Sequence, residues 1–179
     1  SFPNIAAFKY WDELNSKGEK TYYGISNTDA HDPKYIGMVH NKGYMESLTV
    51  ENVNNLLENG SFYGTNGPDI RFEIDGIDMG NTLYVTEPTT VRVHVQAYDR
   101  YSFLKNITIY KLQKTGDWLG AETKHIYKYI NLDGQNLNFF DGYFEMEVQP
   151  GEIYRMEAKS QLCHHPIIRV ANRYEGFAF

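Results

Sequence analysis

A single cysteine, Cys163, rules out an internal disulfide. A chain of 179 residues does not need one, because at that length folding buries roughly 70% of the unfolded surface. Cys163 also lacks a spaced histidine partner or a helix-start context, so it reads as buried or inert. No apolar run approaches the ~20 residues that a membrane-spanning helix requires. Nor is there a cluster of cations: 17 Lys and Arg are outnumbered by 23 Asp and Glu, for a net charge of -6, and the acid is scattered. Non-specific nucleic-acid binding needs grouped cations to displace counterions, so that function class is excluded. The glycines from Gly64 to Gly67 are not followed by Gly-Lys-Ser/Thr, which removes a phosphate-binding loop.

Aromatic residues are plentiful at 15%, fifteen of them Tyr. Tyr and Phe suit strands, and a β-rich fold is the ordinary reading. A sugar-stacking face is the sharper one, with Trp118, Tyr127, Tyr129 and Tyr143 as its candidates. Packing is the favoured role for these four.

The spacing predicts a helix from Asn4 to Lys17, with Ala7, Phe8, Trp11 and Leu14 as one apolar stripe and Gly18 as its stop. Tyr22 to Ile25 reads as a short strand, and Ser26 to Lys34 as a loop. A second helix is capped by Thr49, carries Glu51 in its first turn and buries Val53, Leu56 and Leu57. Gly60 follows its end, and Thr65-Asn66-Gly67-Pro68 punctuates the chain.

Beyond that point the period changes to two. Ile70, Phe72 and Ile74 alternate with polar residues, as do Val91, Val93, Val95 and Ala97, and later Phe144, Met146 and Val148. Ile107 and Ile109, Ile126 to Ile130, Ile153 to Ala158 and Ile167 to Val170 complete the strand candidates. Short alternating strands between turns indicate an antiparallel sandwich or barrel. The expected fold class is therefore α+β, a short α/β segment followed by an antiparallel β-sandwich, divided near Gly67.

The stretch Gly24-Ile25-Ser26-Asn27-Thr28-Asp29-Ala30-His31-Asp32 opens a loop after the strand candidate, where α/β enzymes gather ligands. Asp29 and His31 are two apart, so an extended backbone aims both the same way, and a carboxylate with an imidazole suits Zn, Mn or Fe. A capping Asp beside a solvated His is the commoner use of such a triplet. His94 shares the polar side of a strand with Arg92 and Gln96, where solvated sheet surface is the default. His164 and His165 are adjacent and precede Pro166, which disfavours joint ligation.

Trp11-Asp12-Glu13-Leu14, then Gly18, then Gly24 to His31, is similar to the last motif of the PHP metallohydrolases, which ends in Ser-Asp-x-His where this chain has Thr28-Asp29-Ala30-His31. Leu48 to Phe62 resembles the helix that follows that motif, and Thr65-Asn66-Gly67-Pro68 resembles the Thr-x-Gly-Pro turn of the CehA/McbA-like branch. Ile153 to Ala158 and Pro166 to Ile168 look like the ending of its β-rich tail. The resemblance is specific through residue 75 or so and loose beyond.

It implies that 1–67 is the C-terminal segment of a PHP-like metallohydrolase domain, the end of a distorted barrel, and that 68–179 is an accessory β-sandwich. It implies a cluster of divalent metals (Zn, Mn or Fe) with Asp29 and His31 among the ligands, and a metal-bound hydroxide attacking a phosphate ester or related bond. The family's His-x-His motif and its middle ligands are absent: His40, His94, His125, His164 and His165 include no such pair. Two ligands hold no catalytic cluster. The expected partner is therefore the N-terminal half of a parent PHP domain, with no metal held tightly by this chain and no catalytic residue assigned in it. Apolar surface around Trp11, Leu14, Val53 and Leu57, deprived of barrel neighbours, is expected to favour self-association. The alternative function is a non-catalytic β-sandwich module that binds a glycan or a protein.

Overall fold

The computed structural model describes residues 2–17, 20–112, 124–162 and 176–178. Helix α1 spans Phe2–Ser16, and a single 3-10 turn covers Pro33–Tyr35. Strand β1 (His40–Gly43) and helix α2 (Val50–Asn59) follow. The remaining strands are β2 (Phe62–Thr65), β3 (Asp69–Ile74), β4 (Ile77–Asp78), β5 (Thr89–Tyr98), β6 (Leu104–Leu112), β7 (Lys124–Asn131), β8 (Phe139–Val148), β9 (Ile153–Ser160) and β10 (Gly176–Ala178). Among the described residues no helix occurs between Val91 and Val148.

The strands form a six-stranded sheet ordered β1-β2-β10-β9-β6-β7 and a four-stranded sheet ordered β4-β3-β5-β8. Every described pairing is antiparallel. The alternation read from the sequence sets the buried faces. Val91, Val93, Val95 and Ala97 of β5 meet Ile107 and Ile109 of β6, Met146 of β8 and Met156 of β9 in one core fed by both sheets. A mostly β chain with two antiparallel sheets around a shared core is compatible with the expected sandwich.

The expected division near Gly67 falls where the chain crosses between sheets. The Thr65 hydroxyl, fully buried, donates to the Pro68 carbonyl at 2.7 Å and accepts from the Gly67 N–H at 3.0 Å. Strands β1 and β2 precede this crossing yet belong to the same sheet as β9, and Tyr63 of β2 packs in the shared core. The hairpin between β3 and β4 turns on Asp75-Gly76, both with positive φ (49° and 75°), the geometry for which that dipeptide is suited.

Helix α2 has the ends its sequence specifies. The Thr49 hydroxyl accepts from the Asn52 N–H at 3.1 Å, and Gly60 closes the helix at φ 68°. A Cβ at Gly60 would also collide with the Tyr23 ring. The stripe of Val53, Leu56 and Leu57 is only partly covered, and α2 holds no buried residue.

Helix α1 departs from expectation in its packing. The most buried side chains are polar, namely Asp12, Asn15 and Ser16, while Trp11 and Leu14 are half-buried. The reason is the surface it lies against: the outer side of the six-stranded sheet presents Arg155, Glu157 and Tyr110 there, so the helix docks by ion pairing. Gly18, Trp118, Cys163, His164, His165 and the strand expected over Ile167 to Val170 lie outside the described residues.

Candidate functional site

The segment ahead of Asp29 is not the strand expected over Tyr22 to Ile25. Its backbone groups are claimed by side chains instead of a ladder. The Tyr22 N–H donates to Asn15 Oδ1 at 2.9 Å, and the Tyr22 carbonyl accepts from Asn15 Nδ2 at 3.1 Å and from Trp11 Nε1 at 2.6 Å. Four residues on, the Ser26 N–H donates to Asn41 Oδ1 and the Ser26 carbonyl accepts from Asn41 Nδ2, both at 2.8 Å. Two asparagine amides thus take the part of neighbouring strands.

Asp29 adopts a left-handed conformation, with φ 47°. Its N–H donates to Asn27 Oδ1 at 2.9 Å, a short side-chain turn that favours this backbone. The extended geometry expected from the two-residue spacing is therefore absent, and a turn links the two candidates instead. His31 Nδ1 lies 2.7 Å from the Asp29 carbonyl oxygen. A carbonyl only accepts, so Nδ1 carries the proton and Nε2 is the nitrogen that can offer a lone pair. Both side chains are exposed. Immediately after, Asp32 accepts from the Lys34 N–H at 3.0 Å and caps the Pro33–Tyr35 turn. That backbone bond, with the Lys34 ammonium, holds the Asp32 carboxyl below its ordinary range.

Asp29 and His31 suit a divalent cation in the kind of donor they offer and fall short in number. Among the described residues no group of three or more His, Cys, Asp and Glu is arranged to hold a metal.

A second cluster went unread in the sequence. His94, expected on solvated sheet surface, is only 8% exposed. Its Nδ1 lies 2.9 Å from Glu73 Oε2 and its Nε2 2.8 Å from Asp141 Oδ1. Ionised carboxylates only accept, so the two bonds are complete together only when both ring nitrogens carry protons, in the imidazolium form. Burial pulls the imidazolium down, but the bonds to Glu73 and Asp141 outweigh it and His94 titrates above its ordinary value. Gln96 also donates to Asp141, at 2.9 Å, and Arg71 pairs with Glu73. The cluster joins β3, β5 and β8 through cross-strand pairs that lie far apart in sequence. With both nitrogens committed, His94 serves as a clasp and not as a ligand.

Tyr143, a candidate for a sugar platform, is occupied. Its ring stacks on His94, and the Arg92 guanidinium carbon lies 4.1 Å from its centroid. Tyr127 makes an edge contact with Tyr154, and Tyr129 is exposed on β7. A cavity of about 660 Å³ opens beside α1, with Trp11, Tyr22, Phe62, Leu83 and Tyr154 in its wall. No described helix is long and apolar enough to cross a membrane. No protein-family model, no curated protein and no solved structure matches the chain.

Proposed function

We propose that this chain is the C-terminal part of a PHP-type metal-dependent hydrolase, in which Asp29 and His31 join a divalent-metal cluster and 68–179, with β1 and β2 completing its six-stranded sheet, forms an accessory sandwich. The observation that carries the reading is the bond from His31 Nδ1 to the Asp29 carbonyl, 2.7 Å long. Metal-binding imidazoles are commonly fixed through the other nitrogen in this way, which leaves a lone pair aimed outward. The neighbouring Asp29 carboxylate supplies a hard anionic donor on the same exposed turn.

Uncovered apolar surface supports a missing partner. Ile25, Ile36, Leu48 and Val50 are exposed, the last two at 87% and 79%, and all precede the Thr65–Pro68 crossing. Contiguous exposed apolar surface marks contact sites, and this reading places the four residues in one. The N-terminal half of a parent PHP domain is the partner that this reading assigns to them, and it would also bring the remaining ligands. A bound divalent cation supplies an activated water at neutral pH and neutralises charge on an ester substrate. Phosphoesters are the substrate class that the resemblance implies.

The test is made in the full-length protein. Asp29→Asn and His31→Ala are expected to lose metal and to lower turnover of a generic phosphodiester by orders of magnitude. Near-normal turnover at full metal occupancy would overturn the assignment. The second reading, a non-catalytic module for a glycan or protein partner, draws on the aromatic wall of the 660 Å³ cavity. An upstream coding sequence without a His-x-His motif would favour it.

A further inference from the structure

We propose that the cavity beside helix α1 binds an anionic amphiphile, with its alkyl or aryl body between the two sheets and its anionic end at Lys20. The cavity stands whether or not Asp29 and His31 bind metal. Its volume of about 660 Å³ is that of a small-molecule site. Its depth comes from the fold. Ile70 and Phe72 of β3 line it from the four-stranded sheet, and Leu112 of β6 and Met156 of β9 line it from the six-stranded sheet. All four are core residues under a tenth exposed, so the cavity enters the sandwich between its sheets. Leu83, in the connection from β4 to β5, also lines it and packs against the core. Walls of hydrocarbon favour an apolar occupant over water.

The aromatic part of the wall decides between an amphiphile and a glycan. A glycan needs polar groups placed to meet its hydroxyls. Here the aromatic donors are engaged within the protein. The Tyr63 hydroxyl donates to Asp69 at 3.0 Å, the Tyr154 hydroxyl to Glu152 at 2.6 Å, and the Trp11 indole N–H to the Tyr22 carbonyl at 2.6 Å. The Trp11 ring is itself packed: a Cβ on Gly24 would lie 3.5 Å from it, and the Arg155 guanidinium carbon is 5.2 Å from its centroid. What these side chains offer the cavity is carbon. The acids at the rim are matched as well, Asp12 by Arg155, Asp78 by Arg71 and Glu152 by Lys111. Lys20 is exposed at the same rim, 5.6 Å from the Tyr22 ring centroid, and among the described residues it joins no salt bridge. A cation at the mouth of an apolar cavity, beside acids already paired, attracts an anionic head.

The experiment titrates the 179-residue chain by calorimetry with octanoate, decanoate, decanol and cellopentaose, the alkyl probes kept below the concentrations at which they form micelles. Decanoate is expected to bind at one per chain. Each buried methylene should tighten binding about fourfold, so decanoate should exceed octanoate by roughly 15-fold. Lys20→Glu should weaken decanoate by about two- to fivefold, the worth of an exposed charge pair, and leave decanol unchanged. Leu83→Trp fills the cavity and should abolish binding of both decyl probes, with circular dichroism as the check on folding. Ile77→Trp narrows the same cavity from a wall position that is 37% exposed, so it decides the matter if Leu83→Trp does not fold, and loss of binding is expected there too. Leu48 and Val50 are exposed elsewhere, so decanoate binding that survives the filling variants is surface adsorption and would overturn the site. Absence of saturable decanoate binding, or binding of cellopentaose in its place, would overturn it as well. Decanoate affinity unchanged in Lys20→Glu would overturn the anionic end. None of these readouts involves Asp29 or His31, so failure here is separate from failure of the metal-ligand reading.

Discussion

The imidazole of His94 stacks on the ring of Tyr143 with centroids 4.1 Å apart and planes 3° from parallel, while both its nitrogens face carboxylates. This arrangement fixes a pH dependence. The His94 pKa is raised above its ordinary 6.5, so its contribution is complete below that value and is lost as pH rises through the folded pKa. Asp141 and Glu73 are shifted the other way. Gln96 and then His94 lower Asp141, and the His94 bond leads the lowering of Glu73. Their contribution is complete above the ordinary 3.8 and 4.5 and is lost as pH falls through the folded values. The groups facing the imidazole from β3, β5 and β8 are Glu73, Gln96, Asp141 and Tyr143, with Arg71 and Arg92 behind them. The clasp is therefore strongest between about pH 4.5 and 6.5. Thermal unfolding followed by circular dichroism is expected to show Tm falling from pH 6.5 to 8.5. His94→Gln should flatten that limb, and an unchanged limb would show that another group sets it.

Asp12 and Arg155 give a prediction about stability alone. Asp12 is 1% exposed, and removing its carboxylate leaves the Arg155 guanidinium with Glu157 as its ionic partner. Uncovering half of a buried pair typically costs about 3–5 kcal/mol. Asp12→Ala should therefore cost about 3 kcal/mol in urea unfolding, because Glu157 retains part of the compensation. Asp12→Asn keeps one acceptor and should cost less. Equal losses in the two would mean that packing, and not charge, holds α1 in place.

Thr65 tests the crossing between sheets. Its hydroxyl satisfies the Gly67 N–H and the Pro68 carbonyl in a site without solvent. Thr65→Val keeps the shape and removes both bonds. Each buried group left unsatisfied costs about 1–3 kcal/mol, so a loss of roughly 2–4 kcal/mol is expected by chemical denaturation. Thr65→Ser, which keeps the hydroxyl, should recover most of it.

Much of the sheet structure is legible in the sequence because strand burial is a local, period-two signal. Val91 to Ala97 and Met146 to Val148 announce their inward faces, and Thr49 and Gly60 mark the ends of α2 by cap chemistry. Asp75-Gly76 is a hairpin dipeptide that could have been read the same way. What stayed hidden depends on distant partners. His94 is buried because Asp141 and Tyr143 come alongside from β8. Asp12 and Asn15 form the buried face of α1 because Arg155 lies beneath it, 143 positions from Asp12. Tyr22 to Ile25 reads as a strand by composition, yet side-chain amides from Asn15 and Asn41 take up the backbone groups at Tyr22 and Ser26. The spacing of Asp29 and His31 gave the candidate pair, but not the left-handed turn that joins them.

The last prediction concerns this chain on its own. On the proposed reading it offers two donors, Asp29 and His31, whereas tight Zn or Mn sites use three or more protein ligands with orienting neighbours. Calorimetry should therefore show divalent-metal binding weaker than micromolar and no metal-dependent phosphodiester turnover. The same chain exposes Leu48, Val50 and Ile36, and α2 leaves its apolar stripe only partly covered. Water-exposed aliphatic surface of this kind drives association. Sedimentation velocity is expected to show concentration-dependent self-association, reduced by Leu48→Lys and Val50→Lys. Both substitutions lie at or before the start of α2, away from the sandwich core, so they should leave its unfolding transition unchanged. Stoichiometric sub-micromolar binding of Zn or Mn, lost in Asp29→Ala, would show that the chain completes a site by itself and would count against the proposed N-terminal partner.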